Sequence, residues 1–155
     1  LGNISDLIIV LALPNIQILT KDARDILPSE VEIKNFVGNM ANACLIASAF
    51  STDNYKLFSR SLKDIVIEPI RSKLIPGFDE VKAVALEAGA DGMTISGAGP
   101  AVFAITNSEK KAPIIEDAMT RTFQKNGVKC TTLITTSAPK GSVEVTSNEF
   151  DFSDY

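Results

Sequence analysis

The residues of this chain best suited to chemistry are the five of the turn Ser96-Gly97-Ala98-Gly99-Pro100. Glycine tolerates positive φ and lets another backbone or a ligand come close. Two glycines flanking an alanine allow successive N–H groups to converge on one point, a concavity suited to an anion. Pro100 then fixes the exit into the next segment. The same residues also suit a tight hairpin with no ligand, and spacing alone leaves both readings open. The turn is not a dinucleotide fingerprint, because the third glycine is missing, nor a Walker A loop, because no Gly-Lys-Ser/Thr follows. Two arginines come next. Arg24 ends the polar segment Thr20-Lys21-Asp22-Ala23-Arg24, ahead of Leu27-Pro28, and Arg71 lies between prolines in Glu68-Pro69-Ile70-Arg71-Ser72-Lys73-Leu74-Ile75-Pro76. A guanidinium can capture a carboxylate or phosphate through two parallel hydrogen bonds. It can equally stand solvated on a surface, and each arginine taken alone keeps both readings.

What the chain lacks narrows the chemistry further. It contains no histidine, which removes a Ser-His-Asp triad, a Cys-His dyad and nearly every zinc site. Glu30, Glu32, Asp79 and Glu80 sit near helix starts, where the helix dipole accounts for them. Cys44 and Cys130, lone in apolar segments, read as buried core thiols, which fits a reducing, cytoplasmic compartment. No residues have metal-ligand spacing, and none is assigned a catalytic role. The net charge of -4 offers no basic excess for nucleic acid. The longest apolar run, Leu7 to Leu13, falls far short of the roughly 20 residues that cross a bilayer. No basic segment precedes it, so it does not read as a signal peptide. The chain opens on Leu1 rather than Met, with a core-type strand close behind, and reads as truncated.

The elements that must position these residues follow from periodicity. The Ile- and Val-rich run to Leu13, stopped by Pro14, predicts a buried strand. Thr20 is the expected N-cap of one or two helical turns. Ser29 and Glu32 fit a capping box ahead of Ile33, Phe36, Val37, Met40, Cys44 and Ala47, whose spacing predicts a helix to about Phe50, the main one packed on the sheet. Helical stretches follow from Asp53, with Tyr55, Phe58 and Leu62 on one face, and again past Pro69 near Arg71, closing at Pro76-Gly77. Phe78, Val81, Ala85 and Ala88 predict another helix, ended by Gly89. Met93 to Ser96 and Ala101 to Thr106 read as hairpin strands around the glycine turn. A helix from about Glu109 to Lys125 turns Ile115, Ala118, Met119 and Phe123 inward, and Val128 to Thr136 is the last long strand. Ser142 to Thr146 reads as a short edge strand before a frayed acidic tail. With the middle helices set aside as an insertion, the order is strand, helix, strand, strand, helix, strand. That is an α+β, ferredoxin-like split βαβ sandwich.

Three segments together carry a resemblance. Ile95-Ser96-Gly97-Ala98-Gly99-Pro100, followed by a hydrophobic strand, resembles the third conserved motif of the GHMP kinases, which phosphorylate galactose, homoserine, mevalonate and phosphomevalonate. Thr20 to Arg24 with Leu27-Pro28, and Arg71 with Leu74-Ile75-Pro76-Gly77-Phe78, are similar to the substrate-arginine segments of the homoserine-phosphorylating members. The resemblance spans about residues 4 to 137. It implies a GHMP kinase C-terminal domain over residues 1–147 with an acidic tail at 148–155. The Pro-x-x-x-Gly-Leu-Gly-Ser-Ser-Ala loop that holds ATP in these enzymes, and their magnesium-linked acidic residues, are not in this sequence.

The reaction implied is transfer of the ATP γ-phosphoryl to the side-chain hydroxyl of L-homoserine, a step of threonine biosynthesis. Arg24 and Arg71 would clamp the α-carboxylate, Thr20 would support Arg24 or contact the substrate, and Gly97, Ala98 and Gly99 would shape the pocket floor against the phosphate loop. ATP and Mg would be held mainly by an absent amino-terminal domain, leaving this chain inactive by itself. The implied partners are L-homoserine and that domain, whose exposed docking face would also allow a homodimer. Two alternatives stand beside this one. One is another GHMP kinase, such as a mevalonate or galactose kinase. The other is a non-catalytic ferredoxin-like module that binds a small regulatory ligand.

Overall fold

In the computed structural model, which describes residues 2–138, the Ile- and Val-rich run becomes strand β1 (Ile8–Pro14), with Ile8, Val10, Ala12 and Pro14 buried at alternate positions. It pairs antiparallel with β3 (Val102–Thr106) on one side and β4 (Cys130–Thr136) on the other, and β2 (Gly92–Ile95) pairs antiparallel with β3. The sheet order is β2-β3-β1-β4. Register places Val10 opposite both Ala104 and Ile134. Helix α5 (Phe78–Glu87) leads into β2, and helix α6 (Ala112–Lys125) joins β3 to β4. This is the ferredoxin-like split βαβ order expected from the sequence, with helices α1 (Thr20–Asp25), α2 (Ile33–Ser51), α3 (Tyr55–Ser61) and α4 (Glu68–Arg71) inserted after β1. The α6 helix starts at Ala112 rather than near Glu109, with a proline in its first turn, where the missing N–H costs nothing.

One face of the sheet packs against α5 and α6. Val10, Ala12, Met93, Val102 and Ala104 meet Val81 and Ala85 of α5 and Ile115, Met119 and Phe123 of α6, all within one buried cluster. Full burial of each large apolar side chain there stabilises by roughly 1.5–3 kcal/mol. The opposite face has a smaller cluster. Ile9, Phe103 and Ile105 meet Ile4, Leu7, Ala49, Phe50 and Phe58, drawn from the start of the chain, the end of α2 (Ile33–Ser51) and α3 (Tyr55–Ser61). The Phe50 and Phe58 rings meet edge-on at 5.3 Å. Asn54 caps α3 by accepting from the Leu57 N–H at 2.8 Å. The Tyr55 hydroxyl donates to Asp91 at 2.6 Å, which ties α3 to the residue before β2. Burial, and then the Asp91 carboxylate, push that phenol well above its ordinary value.

Several expectations give way. α2 is not the main helix on the sheet; α5 and α6 are. Only Ala49 of α2 is buried, and Ile33, Phe36, Val37 and Met40 keep 75%, 50%, 57% and 51% of their surface. The apolar spacing correctly marks a stripe, but spacing does not say what covers it. Cys44, on this helix, is exposed rather than core, whereas Cys130 is half-buried and burial pushes its thiol up. Ser29 is no cap: Glu32 occupies the cap position with extended backbone and no side-chain capping bond, and residues 29–32 are exposed, with nothing to hold them helical. Leu19, still extended, takes the cap position expected for Thr20, which instead begins α1 (Thr20–Asp25). The strand expected at Ser142 to Thr146 and the acidic tail lie outside the described residues.

Candidate functional site

Three segments far apart in sequence meet at one end of the sheet. Arg24 lies in the last turn of α1 and is exposed; its carbonyl accepts from the Leu27 N–H at 3.0 Å, and its guanidinium has no hydrogen bond or ion pair among the described residues. Arg71 closes the one-turn helix α4 (Glu68–Arg71), which continues into a 3₁₀ turn at Ser72–Leu74. The Arg71 side chain reaches across to α1, and its Nε donates to the Ala23 carbonyl at 3.3 Å. That carbonyl belongs to the residue before Arg24, so the two guanidinium-bearing segments adjoin. The single bond through Nε leaves the Arg71 terminal nitrogens without a partner among the described residues. Thr20 is the first residue of α1.

The glycine turn completes the convergence. It joins β2 to β3 as a hairpin closed by the Ser96 N–H donating to the Ala101 carbonyl at 2.8 Å. Gly97 and Gly99 are both left-handed, at φ 58° and 81°, a conformation that costs L-residues roughly 1–2 kcal/mol. Gly99 is also sterically confined. A Cβ there would lie 3.3 Å from Ile95 Cγ2, 3.5 Å from Ile75 Cδ1 and 3.9 Å from Ile18 Cδ1. Ile18 precedes α1 and Ile75 follows Arg71, so the turn abuts both arginine segments through their isoleucines. Gly97 has nothing within 4 Å of such a Cβ, and Gly97 and Ala98 are exposed. The Gly99 N–H is consumed inside the turn by the Ser96 carbonyl at 3.0 Å. The N–H groups of Gly97 and Ala98 have no partner among the described residues. Of the three N–H groups that the sequence offered for an anion, two are therefore free among the described residues.

α4 is anchored by residues the sequence reading passed over. Asp64 Oδ1 accepts from Val66 N–H at 2.9 Å, Ile67 N–H at 2.8 Å and the Asn39 amide of α2 at 2.8 Å, and its Oδ2 accepts from Glu68 N–H at 3.2 Å. Burial alone would push this carboxyl up, but the Asn39 amide and the three backbone N–H groups outweigh it and hold it below the ordinary carboxylate value. Glu68, buried at the start of α4, ion-pairs with Lys82 of α5. The signals were an acid four residues before a helical turn and a polar Asn39 inside an apolar helix, both common enough to pass as surface features. Two guanidinium groups on adjoining segments, which the glycine turn abuts through Ile18 and Ile75, are of a type that binds an anionic group by charge-assisted hydrogen bonds. No metal-holding group of three His, Cys, Asp or Glu side chains occurs among the described residues.

The family "GHMP kinases C terminal" matches residues 46–125. The chain belongs to the GHMP kinase C-terminal family. This GHMP domain is 42% identical over 112 residues to a homoserine kinase of Chloroherpeton thalassium, covering 72% of this chain and 35% of that protein. It is 38% identical over 130 residues to the homoserine kinase of Pyrococcus abyssi, covering 84% of this chain and 43% of that one. Among solved structures, the crystal structure of homoserine kinase from Cytophaga hutchinsonii superposes with a TM-score of 0.85 at 35% identity, covering 91% of this chain and 45% of that chain. The GHMP chain thus spans less than half the length of these relatives.

Proposed function

We propose that this chain forms the acceptor-binding part of an ATP-dependent homoserine kinase, with Arg24 and Arg71 clamping the α-carboxylate of L-homoserine. The observation that carries the reading is the Arg71 guanidinium lodged against the Ala23 carbonyl, one residue from Arg24. The names of the relatives agree with it. In this reading the clamp fixes one end of the acceptor so that its hydroxyl is presented in a single orientation. Such positioning is the main protein contribution to phosphoryl transfer. The clamp also selects against amino alcohols, which lack the charge and would leave the arginines unpaired. The two free N–H groups of the turn, with no metal-ligating cluster beside them, do not fit a magnesium nucleotide by themselves. ATP and Mg are assigned to the remainder of the kinase. That remainder docks on the exposed stripe of α2, since the relatives carry more than half their length outside the aligned span. The setting implied is threonine biosynthesis in the cytoplasm; among the described residues no helix is long and apolar enough to cross a membrane.

The test uses the complete enzyme. Arg24→Ala and Arg71→Ala should each raise the homoserine Michaelis constant at least about tenfold, as expected for losing a charge-assisted bond of roughly 1.5–3 kcal/mol, with the ATP constant unchanged. The isolated chain should produce no homoserine-dependent ADP. A homoserine constant that stays put in both variants would overturn the reading, and turnover of mevalonate or galactose in preference to homoserine would redirect it.

A further inference from the structure

We infer that Asp64 is a positioning residue for the Arg71 guanidinium, acting through the backbone of α4 and tied to α2 by Asn39. The inference rests on the acceptor-binding reading above. α4 has four residues, too short to hold its own shape, because a single turn fixes its dihedrals for almost no return in hydrogen bonds. Its geometry must come from outside. Asp64 supplies it by accepting three consecutive backbone N–H groups, those of Val66, Ile67 and Glu68. Ile67 is the hinge of the device. Its N–H is held by Asp64 at 2.8 Å, and its carbonyl accepts from Arg71 N–H at 2.9 Å and Ile70 N–H at 3.1 Å. Two hydrogen bonds therefore connect the Asp64 carboxylate to the Arg71 backbone, and a third carries the Arg71 side chain to Ala23.

The other end of the device is α2. Asn39 donates from its amide to Asp64 Oδ1 at 2.8 Å and accepts at Oδ1 from Ile65 N–H at 2.9 Å, so its side chain is spent wholly on this loop. Asn42, one turn on, donates to the Lys63 carbonyl at 2.9 Å. Beside them the Ile65 side chain lies over Gly38, its Cδ1 2.9 Å from where a Cβ would stand. The arginine arm is thus hung from the helix whose outer stripe is uncovered, and the Glu68–Lys82 pair braces it against α5. A shift of Asp64 would rotate α4 and move the guanidinium off the carboxylate, a displacement to which clamped geometries are sensitive.

Steady-state kinetics on the complete enzyme test this. Asp64→Ala removes every bond, and Asp64→Asn keeps an acceptor for Val66 and Ile67 while losing the charge. Asp64→Ala should raise the homoserine Michaelis constant about tenfold and Asp64→Asn about threefold, with the ATP constant and kcat within about twofold. Asn39→Ala should resemble Asp64→Asn. Arg71→Ala serves as the reference. If Arg71→Ala raises the homoserine constant and neither Asp64 variant does, Asp64 does not position the arginine. A rise of homoserine and ATP constants together, in step with lost thermal stability, would make Asp64 a plain fold anchor and equally overturn the inference. No effect of Arg71→Ala would instead remove the acceptor-binding reading on which it rests.

Discussion

The two faces of the sheet are built from the same strands yet differ in how they are finished. Against α5 and α6, Val10, Val102, Ala104, Ile115, Met119 and Phe123 lose all contact with water. Against α2 and α3, a smaller cluster closes over Ile9, Phe103 and Ile105, and the first half of α2 runs on with its apolar stripe bare. α2 carries one charged residue, Lys34, in 19 positions. A helix so poor in charge is suited to burial along most of its circumference, and an apolar patch of this kind marks an interaction surface. The first face holds the domain together and includes Ile18 and Ile75 from the arginine segments, whereas on the second the first half of α2 stays uncovered.

The largest expected difference between the faces is in stability. Phe123→Ala should cost about 3–5 kcal/mol, through lost transfer energy and an unfilled cavity, whereas Phe36→Ala should cost about 1 kcal/mol or less. Urea midpoints of the two variants measure this directly, and equal losses would mean that α2 is already covered in solution.

A smaller effect is expected from acid. The Asp64 carboxyl titrates below its ordinary value of 3.8 in the folded chain. Its contribution is therefore complete above that ordinary value and is lost as pH falls through the lower folded one. The stability gap between the parent chain and Asp64→Asn should be constant from neutral pH to about 5, then close below about 4. Amide protection at 66–71, taken relative to the intrinsic exchange rate at each pH, should fall over the same interval. A gap that persists unchanged at pH 2 would show that the carboxylate charge contributes nothing.

The smallest effect on stability belongs to the bare stripe. Met40→Lys should change the unfolding free energy of the isolated chain by about 0.5 kcal/mol or less. In the complete enzyme it should loosen the docking of this domain, read as faster limited proteolysis between the parts. Unchanged proteolysis, with loss only of a sedimenting dimer, would assign the stripe to a second copy instead.

Much of the fold was legible along the chain because its signals are local. The Ile- and Val-rich run of β1 stopped by Pro14, the inward positions Ile115, Met119 and Phe123 of α6, and the hairpin around Gly97 and Gly99 each follow from a run, a period or a turn chemistry that spans a few residues. From residue types and spacing the candidate site was legible only as parts, and it was the family resemblance that grouped them. Arg24, Arg71 and the glycine turn could be named, but each alone fits an ordinary surface or hairpin. Asp64, Asn39 and Ile18 went unseen and Ile75 was named only within a motif, because the Asn39–Asp64 bond spans 25 residues and the contacts of Ile18 and Ile75 at Gly99 come from other elements.

The amino-acid sequence by itself determined the element order, the ferredoxin-like topology and the residue types able to bind an anion, since periodicity, turn residues and the absence of histidine are properties of the chain read in order. Only the tertiary structure decided which helix covers the sheet and which stays bare, that Cys44 faces outward, and that Arg71 reaches the carbonyl beside Arg24. Those outcomes depend on which surfaces meet. An apolar stripe or a guanidinium is compatible with several partners until long-range packing leaves it one.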